Sequence, residues 1–579
     1  SSDSLRLAKS DKPYLFTAPD FLEIVFTSDI DTCLGKETGH CTLNPIHTDC
    51  ADSTFTHGGL RYIATNASTG GGSIPVDSGK WYCEMVCTAK TATNAMIGVC
   101  TVDGFDGNRQ PDESELNGSG YTYVMNGTTN PGGNSYGANW AVDDVMGIAL
   151  DLDSTQNTVT YYKNGVSQGA VNIDAGRYVF ACGNGQGSST VTYEVNFGQK
   201  PFKYAPPEGF QILNHANARP QTVITRPDQY VGVTTYTSDS GSALSIDSFN
   251  FQPDMIWGKD LDDNNNWHQF DSVRGPDRSL DTTGNGAESD WSSYFTRFDI
   301  RGFTVAAGNH DLNRNSNRMC AWGWKAGGAP TADNNNTSGA MDANSVSLDG
   351  FLQGAYTPSG SPSTYPKRMS IGTTQGFSIV EYVGNASNRT LPHGLGKAPK
   401  FMIVKNMETG STGWAVYHDA IGHNSGNNYI EISDGQAGAD NSAFQNTAPT
   451  TDLFSIGTKA AVNNDTDDTI AWIWADVPGL QKFGSYKGNA NTDGVFVELG
   501  FRPAIVLMKN TGSSINWYMY DSARDRYNVG GKRLFLNTNA NEATDTIDFL
   551  SNGFKWRDSG GGNSSSNVSL CSAFLKYFR

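Results

Sequence analysis

Three copies of one short stretch run through the second half of the sequence and constrain what it can fold into. They are PDMIWGKDLDDNNNWHQFD (253–271), PKFMIVKNMETGSTGWAVYHD (399–419) and PAIVLMKNTGSSINWYMYD (503–521). Each copy has a proline, an apolar run, a lysine, a polar turn, a tryptophan, a second aromatic residue and an aspartate. Apolar runs on both sides of a turn rich in Asn, Asp, Gly or Ser predict a strand–turn–strand hairpin.

The repeating unit is longer than this hairpin. A segment with an aromatic residue and glycine precedes each copy, and a short strand pattern and a closing apolar strand follow it. The lysines Lys259, Lys405 and Lys509 lie 146 (405 − 259) and 104 (509 − 405) residues apart, and the longer interval holds an insertion near Ala329–Thr374. Spacing of this size indicates a duplicated module with its own small core, not a solenoid of short repeats.

The composition favours an almost all-β protein. The 579 residues include 65 glycines and 11% aromatic residues, with alternating runs of Val, Ile, Thr, Tyr and Trp between Asn-Gly, Asp-Gly and Gly-Gly pairs. The best helix candidates are short pieces near 51–56 and 539–550. We therefore predict an all-β, multi-domain chain: one β-sandwich followed by three repeated β-sandwich modules.

Charge and hydropathy exclude two classes of partner. The formal net charge is −18, and Lys and Arg form no cluster that could neutralise phosphates, so no nucleic-acid partner is expected. No apolar run approaches the length that spans a bilayer. The first residues lack the apolar core of a signal peptide. We therefore expect no membrane insertion.

Residues 42–213 contain four ordered groups of residues, each on a strand pattern: Gly79, Trp81, Tyr82 and Glu84; Ile97, Gly98 and Val99; Gly147, Leu150, Asp151, Asp153, Tyr161, Lys163, Asn164 and Gly165; Asn196, Phe197, Gly198, Pro201 and Phe202. In order and spacing these groups resemble the motifs of the SPRY domain family. The Asn164-Gly165 pair is by itself a signal for a type I′ hairpin turn, because both turn residues need positive φ.

The resemblance implies a curved, lectin-like sandwich of two sheets that binds a partner through variable loops and has no catalytic activity. The Gly- and Asn-rich loops 103–120 and 126–139 differ from those of the better-known intracellular SPRY proteins, so the ligand class does not transfer. The candidate binding residues in and beside these loops are Asp103, Asp106, Asn108, Tyr121, Tyr123 and Trp140.

The nine cysteines show no zinc-binding pattern and no CxxC pair. Most of those before residue 183 lie in apolar strand patterns, where a buried free thiol acts as a small apolar side chain. Cys33, Cys41 and Cys50 lie in a loop-like stretch. The sequence leaves open whether any of these three form disulfides.

The recurring lysine and tryptophan each have a structural and a functional interpretation. The lysine could bind an anionic sugar or phosphate, but we favour a stem that packs across an aromatic neighbour with the ammonium in water. Trp267, Trp414 and Trp517 could stack on a sugar. Because each is followed three residues later by an aromatic residue on a half-buried strand, we favour core packing.

Asp271, Asp419 and Asp521 close the three hairpins. Two of them lead into Ser-x-Arg, which predicts the loop-tying ion pairs Asp271–Arg274 and Asp521–Arg524. The second copy lacks the arginine, which argues against an active site shared by all copies. A glycoside hydrolase would need two carboxylates held about 5–10 Å apart. We assign no catalytic residue and predict that the chain is not an enzyme.

Acidic clusters at 260–263, 465–468 and 103–106 are possible calcium loops. None fits the twelve-residue pattern with its central glycine and final glutamate. We therefore expect solvated loops, with no metal and no cofactor.

The predicted organisation follows the chain in order. It comprises an N-terminal arm (1–41), the SPRY-like sandwich (42–213), a linker (214–229), the first repeat with its insertion (230–374), the second repeat (375–482) and the third repeat (483–579). The arm could be an edge strand or an attachment to a partner.

A SPRY-like module followed by Gly-, Asn- and Thr-rich β repeats resembles the appendage proteins of bacteriophages, particularly marine podoviruses and myoviruses. The resemblance implies a virion structural protein, a tail fibre or similar appendage, made in the host cytoplasm, that binds a host-surface glycan or protein during attachment. It also implies partners among other virion proteins through the arm, and self-association, with a trimer favoured. The alternatives are a head-surface fibre or decoration protein with a spacer role, and a polysaccharide depolymerase.

Overall fold

The structure is a computed structural model. It describes residues 39–44, 53–64, 68–91, 94–101, 120–185, 189–218, 224–421, 429–432, 441–512, 515–564 and 568–574. The chain divides into two compact units, Ser1–Gln221 and Thr222–Arg579, and each is described by itself. Within the described residues the structure is 46% strand and 4% helix, so the all-β prediction is confirmed.

The helices are short. The α-helices are α1 (His215–Ala218), α2 (Asn441–Phe444) and α3 (Ala460–Asn463), and the 3₁₀ turns are His57–Gly59, Pro227–Gln229, Asp419–Ile421 and Gly561–Asn563. Within the described residues, none of these helices has the length and apolarity needed to cross a membrane.

The first unit is a sandwich of two antiparallel sheets. Its strands are β1 (Ser53–Thr56), β2 (Arg61–Ala64), β3 (Ser68–Gly71), β4 (Lys80–Lys90), β5 (Ala95–Thr101), β6 (Gly120–Val124), β7 (Thr128–Asn130), β8 (Asn134–Ser135), β9 (Val145–Asp151), β10 (Thr158–Lys163), β11 (Val166–Asn172), β12 (Tyr178–Asn184), β13 (Val191–Asn196) and β14 (Gln211–Ile212). One sheet has the order β1-β2-β13-β4-β9-β10-β11, with β14 beside β4 in parallel, and the other β3-β12-β5-β6-β7-β8. One buried apolar cluster draws side chains from both sheets.

Two local interactions fix parts of this sandwich, the turn between β10 and β11 and the segment after β13. The Asn164-Gly165 turn joins β10 to β11 with φ values of 49° and 79°, as the type I′ prediction requires. Glu84 on β4 is 5% exposed, and its carboxylate accepts the backbone N–H groups of Lys203 and Tyr204, each at 2.8 Å. The buried charge therefore anchors the segment that follows the last long strand.

The described residues of the second unit form 27 strands. They are β15 (Val231–Thr237), β16 (Leu244–Ile246), β17 (Met255–Asp260), β18 (His268–Asp271), β19 (Gly275–Leu280), β20 (Ser289–Asp290), β21 (Phe295–Asp299), β22 (Gly302–Val305), β23 (Arg318–Trp324), β24 (Val346–Leu348), β25 (Phe351–Leu352), β26 (Arg368–Gly372), β27 (Phe377–Val383), β28 (Arg389–Pro392), β29 (Pro399–Asn406), β30 (Ala415–His418), β31 (Ile430–Glu431), β32 (Leu453–Ile456), β33 (Asp468–Ala475), β34 (Gln481–Lys487), β35 (Phe496–Glu498), β36 (Ile505–Asn510), β37 (Tyr518–Asp521), β38 (Gly530–Phe535), β39 (Ala543–Leu550), β40 (Gly553–Trp556) and β41 (Val568–Phe574).

Three modules repeat the same strand order. It is β15-β23-β17-β18 in the first module, β27-β33-β29-β30 in the second and β34-β41-β36-β37 in the third. In each, the closing strand lies between the starting strand and the predicted hairpin, and all three hairpins form. The three-copy repeat predicted from the sequence is therefore present in the structure.

Two sequence expectations need correction. The insertion, assigned to the first repeat, adds its strands to the second module's sheet, because β26 pairs antiparallel with β27 from Arg368↔Glu381 to Gly372↔Phe377. Neither helix candidate is helical: the described part of the first is the strand β1, and the second contains the strand β39, preceded by residues 539–542 without regular structure. In β39 the alternation Thr544, Thr546, Asp548 against Asp545, Ile547, Phe549 has the period of a strand, and pairing with β38 and β40 overrides helix propensity.

The three modules share one core. The closing strands meet through Trp324, Trp474 and Phe574, which occupy equivalent positions in β23, β33 and β41. Their ring centroids are 6.3 Å (Trp324–Trp474), 5.5 Å (Trp324–Phe574) and 6.5 Å (Trp474–Phe574) apart. A single buried cluster draws side chains from all three modules around this triangle. The opposite face of each sheet packs in a core of its own.

The recurring tryptophans link the modules in a cycle. The indole N–H of Trp267 in the first module donates to Phe535 O in the third at 2.9 Å. Trp414 in the second module donates to Asp281 O in the first at 3.2 Å, and Trp517 in the third donates to Glu431 O in the second at 3.2 Å. The predicted core role of these tryptophans is confirmed. The equivalent contacts indicate an approximate threefold arrangement within one chain.

A stacked arginine strengthens two of the three interfaces. Arg274 of the first module lies over Trp472 of the second, 5.8 Å from the ring centroid, and is held by its ion pair with Asp271. Arg524 of the third module lies in the same way over Trp322 of the first, at 5.7 Å. Both predicted Asp–Arg pairs are confirmed.

The interface between the second and third modules lacks this pair on both sides. The residue equivalent to the two tryptophans is Ser572. Strand register makes His418, and not Asp419, the equivalent of Asp271 and Asp521. The assignment of Asp419 from sequence is therefore shifted by one residue. His418 packs on Phe483 of the third module instead, with ring centroids 6.5 Å apart.

We expect Trp324→Ala to lower the free energy of unfolding by about 3–5 kcal/mol, because it leaves a cavity where three modules meet. Urea unfolding of the full chain measures this by tryptophan fluorescence, to which the second unit contributes ten of the twelve tryptophans. Ile300→Ala, at a side chain that is 79% exposed, is the control and should change stability by less than about 0.5 kcal/mol. A loss below about 1 kcal/mol for Trp324→Ala would contradict a shared core.

Candidate binding surfaces

Three of the six candidate binding residues in the first unit fall on described positions. Tyr121 on β6 is partly exposed, and its hydroxyl donates to Asp174 Oδ2 at 3.0 Å and accepts from the Asp174 backbone N–H at 3.1 Å. Burial raises the pKa of Tyr121. Asp103, Asp106 and Asn108 lie outside the described residues.

Tyr123 and Trp140 are core residues, 0% and 3% exposed, so the structure contradicts their assignment to a binding surface. The Tyr123 ring lies between Tyr136 and Tyr161, with centroids 5.1 and 5.4 Å away, and its hydroxyl donates to a backbone carbonyl. Alternation along β6 places Tyr121 and Tyr123 on the same core-facing side, with Tyr121 nearer the rim. Of these three residues, Tyr121 alone remains a surface candidate.

The recurring lysines Lys259, Lys405 and Lys509 are fully buried. The prediction that their ammonium groups lie in water is therefore wrong. Lys405 Nζ donates to Thr412 O at 2.9 Å and to Asn285 O in the first module at 3.3 Å. Lys259 Nζ donates to two backbone carbonyls of its own turn, and Lys509 Nζ does the same. Burial lowers the pKa of Lys259 and of Lys405 to about 8. Each ammonium therefore fastens a hairpin turn and is not available to a ligand.

The acidic cluster after Lys259 is likewise used inside the turn. Asp260 is fully buried, and its carboxylate accepts backbone N–H groups from Asp262 and Asp263 and side-chain amides from Asn265 and Asn317. Within the described residues, no group of three or more His, Cys, Asp or Glu side chains is placed to hold a metal ion. The cluster at 103–106 lies outside those residues.

A third recurring residue was missed from the sequence. Asn313, Asn463 and Asn563 are each 0% exposed and stand six residues before equivalent positions of the closing strands, Met319, Thr469 and Ser569. Each side-chain amide donates to backbone carbonyls of two loop segments. The constant spacing was the signal that could have revealed them.

A serine, a histidine and an aspartate side chain are linked by hydrogen bonds in the first module. His268 Nδ1 lies 3.0 Å from Ser279 Oγ, and His268 Nε2 lies 3.1 Å from Asp311 Oδ2. Ser279 is 0% exposed, and the Trp291 ring covers the imidazole with a centroid distance of 3.8 Å. A substrate cannot reach the hydroxyl, so these three side chains form a structural hydrogen-bond network.

Two histidines are buried in a neutral form. His393 and His418 are both 0% exposed, and burial lowers the pKa of each to about 4. His393 Nε2 lies 3.2 Å from Thr450 O, and its Nδ1 accepts the Leu395 N–H. Both rings are therefore part of the scaffold at neutral pH.

The seven described cysteines are buried free thiols, as predicted for those in strand patterns. Burial raises the pKa of Cys41 and of Cys87 to about 11, which makes both thiols poor nucleophiles. Cys33 and Cys50 lie outside the described residues, so the question of disulfides at these two positions stays open.

Since the recurring residues are used in the scaffold, the candidate site lies where the modules differ. A groove of about 260 Å³ lies between the first and third modules. Its lining residues are Thr235, Tyr236, Thr237, Leu261, Arg318, Ala523, Arg524 and Lys532.

The groove has charged walls. Arg318 is half-exposed and makes a forked contact with Asp262, at 2.6 Å from Nη2. Glu542 lies within 4 Å of Arg318, Arg524 and Lys532. Hydroxyls, guanidinium groups and an ammonium thus line an open groove beside the edge strand β15. This chemistry suits binding and offers no nucleophile with a base.

Comparison with known proteins identifies both units. Residues 226–367 and 357–575 match the family described as Domain of unknown function (DUF7483). Residues 80–199 match the SPRY domain. The E3 ubiquitin-protein ligase RKP of Arabidopsis thaliana is 38% identical over 90 residues, which cover 14% of this chain and 7% of that protein.

Solved structures similar to this chain are SPRY domains. The SPRY domain of human HERC1 is 15% identical with a TM-score of 0.22, covering 26% of this chain and 96% of that one. The TRIM65 PSpry domain is 12% identical with a TM-score of 0.22, covering 27% and 92%. A human SPRY domain is 16% identical with a TM-score of 0.21, covering 26% and 98%.

We expect Lys405→Met to lower the free energy of unfolding by about 1–3 kcal/mol, because buried carbonyls lose a charged donor. Guanidinium unfolding measures the change. Lys397→Met, at an exposed lysine of the same module, is the matched control and should stay within about 0.5 kcal/mol of the parent. Equal behaviour of the two variants would show that the buried ammonium does not hold the turn.

We expect stability to fall as the pH drops from about 6.5 to 4. In this window the unfolded chain binds protons at His393 and His418 that the folded chain excludes, so unfolding is favoured. Each histidine contributes up to about 3 kcal/mol. His418→Asn should make the pH dependence shallower by about one proton. An unchanged slope in that variant would be inconsistent with a neutral His418 in the fold.

Proposed function

The chain belongs to the DUF7483 family and carries a SPRY domain, and from this premise we propose that it is a non-catalytic binding protein of a bacteriophage virion. In this role it forms part of a tail fibre or similar exposed appendage. It is made in the host cytoplasm, assembled into the virion, and binds a host-surface glycan or protein during adsorption.

One observation supports a binding role above others. The lysine, tryptophan and asparagine that recur in all three modules are buried and used to hold turns and interfaces. A scaffold held in this way presents its loops rigidly, and binding residues are commonly found on such loops. The residues left for recognition are those that differ between modules and those on the rim of the SPRY sandwich.

The non-catalytic assignment rests on the chemistry of the described residues. Ser279 is sealed beneath Trp291, the described thiols are buried, and the groove cations face carboxylates. None of these arrangements offers an accessible nucleophile next to a base. Glycoside cleavage uses two carboxylates instead, so a polysaccharide depolymerase stays as an alternative that the assay below tests.

The partners follow from the same proposal. Other virion proteins bind the N-terminal arm, and many copies on one particle convert weak receptor contacts into strong attachment. Self-association as a trimer remains part of the proposal. The threefold core does not require it, because a single chain supplies all three modules. Light scattering of the purified 62.3 kDa chain distinguishes a monomer from a trimer.

We expect virions that lack the second unit to adsorb more slowly to host cells, because the recognition surfaces are lost while the arm still attaches. Adsorption is measured as the rate at which free particles disappear. Virions that carry Lys397→Met in the full-length protein are the control. Normal adsorption by the truncated virions would exclude receptor binding by the second unit and leave the rim of the SPRY sandwich as the remaining recognition surface.

Electron microscopy of labelled virions and an activity assay on the purified chain distinguish the two alternative functions. A label at the chain's C-terminal residue, located by electron microscopy, should lie at the tips of tail appendages. Label over the head would favour a head-surface fibre with a spacer role. Release of reducing sugar from host polysaccharide by the purified chain would favour a depolymerase.

A further inference from the structure

The groove between the first and third modules has an equivalent position at the interface of the first and second modules, and there the position is occupied by a segment of the chain. The approximate threefold arrangement makes the first–second interface equivalent to the third–first interface, as the stacked arginines Arg274 and Arg524 show. Residues at one interface can therefore be compared with residues at the other by strand register. The comparison shows what the groove is shaped to receive.

Three groove residues have direct equivalents at the first–second interface. Thr235 on the starting strand corresponds to Glu381, since they face the equivalent residues Cys320 and Ile470 of the closing strands. Arg318, just before Met319, corresponds to Asp468, just before Thr469. The third pair, Ala523 and Val273, each follow the hairpin's last aspartate by two residues.

The insertion occupies this position in the second module. Lys367 Nζ contacts Glu381 Oε1 at 3.1 Å and Asp468 Oδ2 at 2.7 Å. The next residue, Arg368, donates from Nη1 to Val273 O at 3.1 Å. All three equivalents of the groove residues are therefore in contact with one strand, β26, or the residue that precedes it.

That strand is attached through the backbone as well. The Lys367 N–H donates to Glu381 O at 2.7 Å, and β26 continues antiparallel to β27. In the first module, Tyr230 O and the Ser238 N–H bond to the segments that flank β23, at 2.8 and 3.0 Å. Alternation along β15 then turns the backbone groups of Thr235 away from β23, towards the groove. Thr235 thus matches Glu381 in its backbone direction too.

The charge is reversed at one of the two equivalent positions, where Arg318 stands in place of Asp468, and at the other the uncharged Thr235 stands in place of Glu381. The filled site presents two carboxylates, Glu381 and Asp468, to a lysine. The groove presents Thr235 and Arg318 at the same places, with Lys532 on the opposite wall. Arg318 has five N–H donors, of which three contact Asp262 and Glu542, and its side chain is half-exposed. An occupant with acidic side chains fits where the insertion has basic ones.

We propose that this groove is a docking site for an acidic, extended segment of a partner polypeptide, which adds beside β15 as a short strand. Backbone bonding at Thr235 and Thr237, at the exposed end of β15, gives affinity, as in other cases where a peptide adds to a sheet edge. The contact of its carboxylate with Arg318 and Lys532 gives specificity. The inference rests on the binding role proposed above and names the chemistry of one partner.

The protein supplies its own probe for this site. The acidic peptide is residues 364–373, TYPKRMSIGT, with Lys367→Glu and Arg368→Glu, and the unchanged peptide is the matched control. Each is labelled with a fluorophore and titrated into the purified full-length chain, with anisotropy as the readout. We expect saturable binding of the acidic peptide with a Kd of about 1 mM or tighter. The unchanged peptide should bind at least about tenfold more weakly, a difference of about 1.4 kcal/mol.

A charge exchange tests the site itself. Arg318→Asp gives the groove the residue found at the filled site, and the preference should change to the unchanged, basic peptide. Lys532→Glu, at a side chain that is 38% exposed, should weaken the acidic peptide without a change of fold. Lys397→Glu makes the same charge change at an exposed site outside the groove and should have no effect. Circular dichroism verifies that each variant is folded.

Three results would overturn the proposal. They are no saturable binding of the acidic peptide up to a few millimolar, equal binding of both peptides, and binding that ignores Arg318→Asp and Lys532→Glu alike. A peptide of residues 19–32, PDFLEIVFTSDIDT, identifies a different occupant. If it competes for the groove more strongly than the acidic peptide, the occupant is this segment, from the same or a second copy of the chain, and the proposed acidic partner is wrong. The assay contains no host cell, so its failure leaves the adsorption experiment informative.

Discussion

The contact of three apolar sheet faces around Trp324, Trp474 and Phe574 is the interaction on which the second unit depends. Each module has a sheet with two apolar faces, and its own second layer covers only one of them. The other apolar face is buried only when it packs against the other two modules. Covering it fixes the cyclic order, and the indole-to-carbonyl bonds of the recurring tryptophans then fix the register between modules. No module can be removed without exposing the inner faces of the other two.

This constraint changes how the internal repeats are interpreted. Recurrence within one chain marks residues that every module needs for its fold. In this chain these residues make the same buried hydrogen bonds in each module. The lysine holds the hairpin turn, the tryptophan joins the neighbouring module, and the asparagine ties the loop before the closing strand. A ligand site is better sought among residues that break the pattern. The groove beside β15 fits this expectation, since the insertion fills its counterpart in the second module.

The SPRY sandwich poses the opposite problem, because it occurs once in the chain and offers no internal comparison. Its motifs placed the strands correctly, yet two of the three described binding candidates are inside the core. Aromatic residues next to Gly- and Asn-rich loops predict a ligand surface only if the loop extends into solvent. In the structure the segment after Tyr123 turns back as the hairpin β7–β8, and the Tyr136 ring closes over the core. Tyr121, which bonds to Asp174 at the rim, is the described candidate that stays at the surface.

The sequence by itself determined the all-β class, the SPRY domain, the three hairpins and the Asp–Arg pairs, because these depend on local periodicity and short spacings. The tertiary structure decided what spacing cannot express: that three modules share one core, that the insertion belongs to the second sheet, and that His418 takes the place of Asp271. It also decided that the lysines are buried. A lysine at the end of an apolar run has the same sequence whether its ammonium reaches water or a ring of carbonyls. For Lys405 part of that ring comes from the neighbouring module, which supplies Asn285 O from 120 residues away, so only the tertiary structure determines whether this charge is solvated or buried.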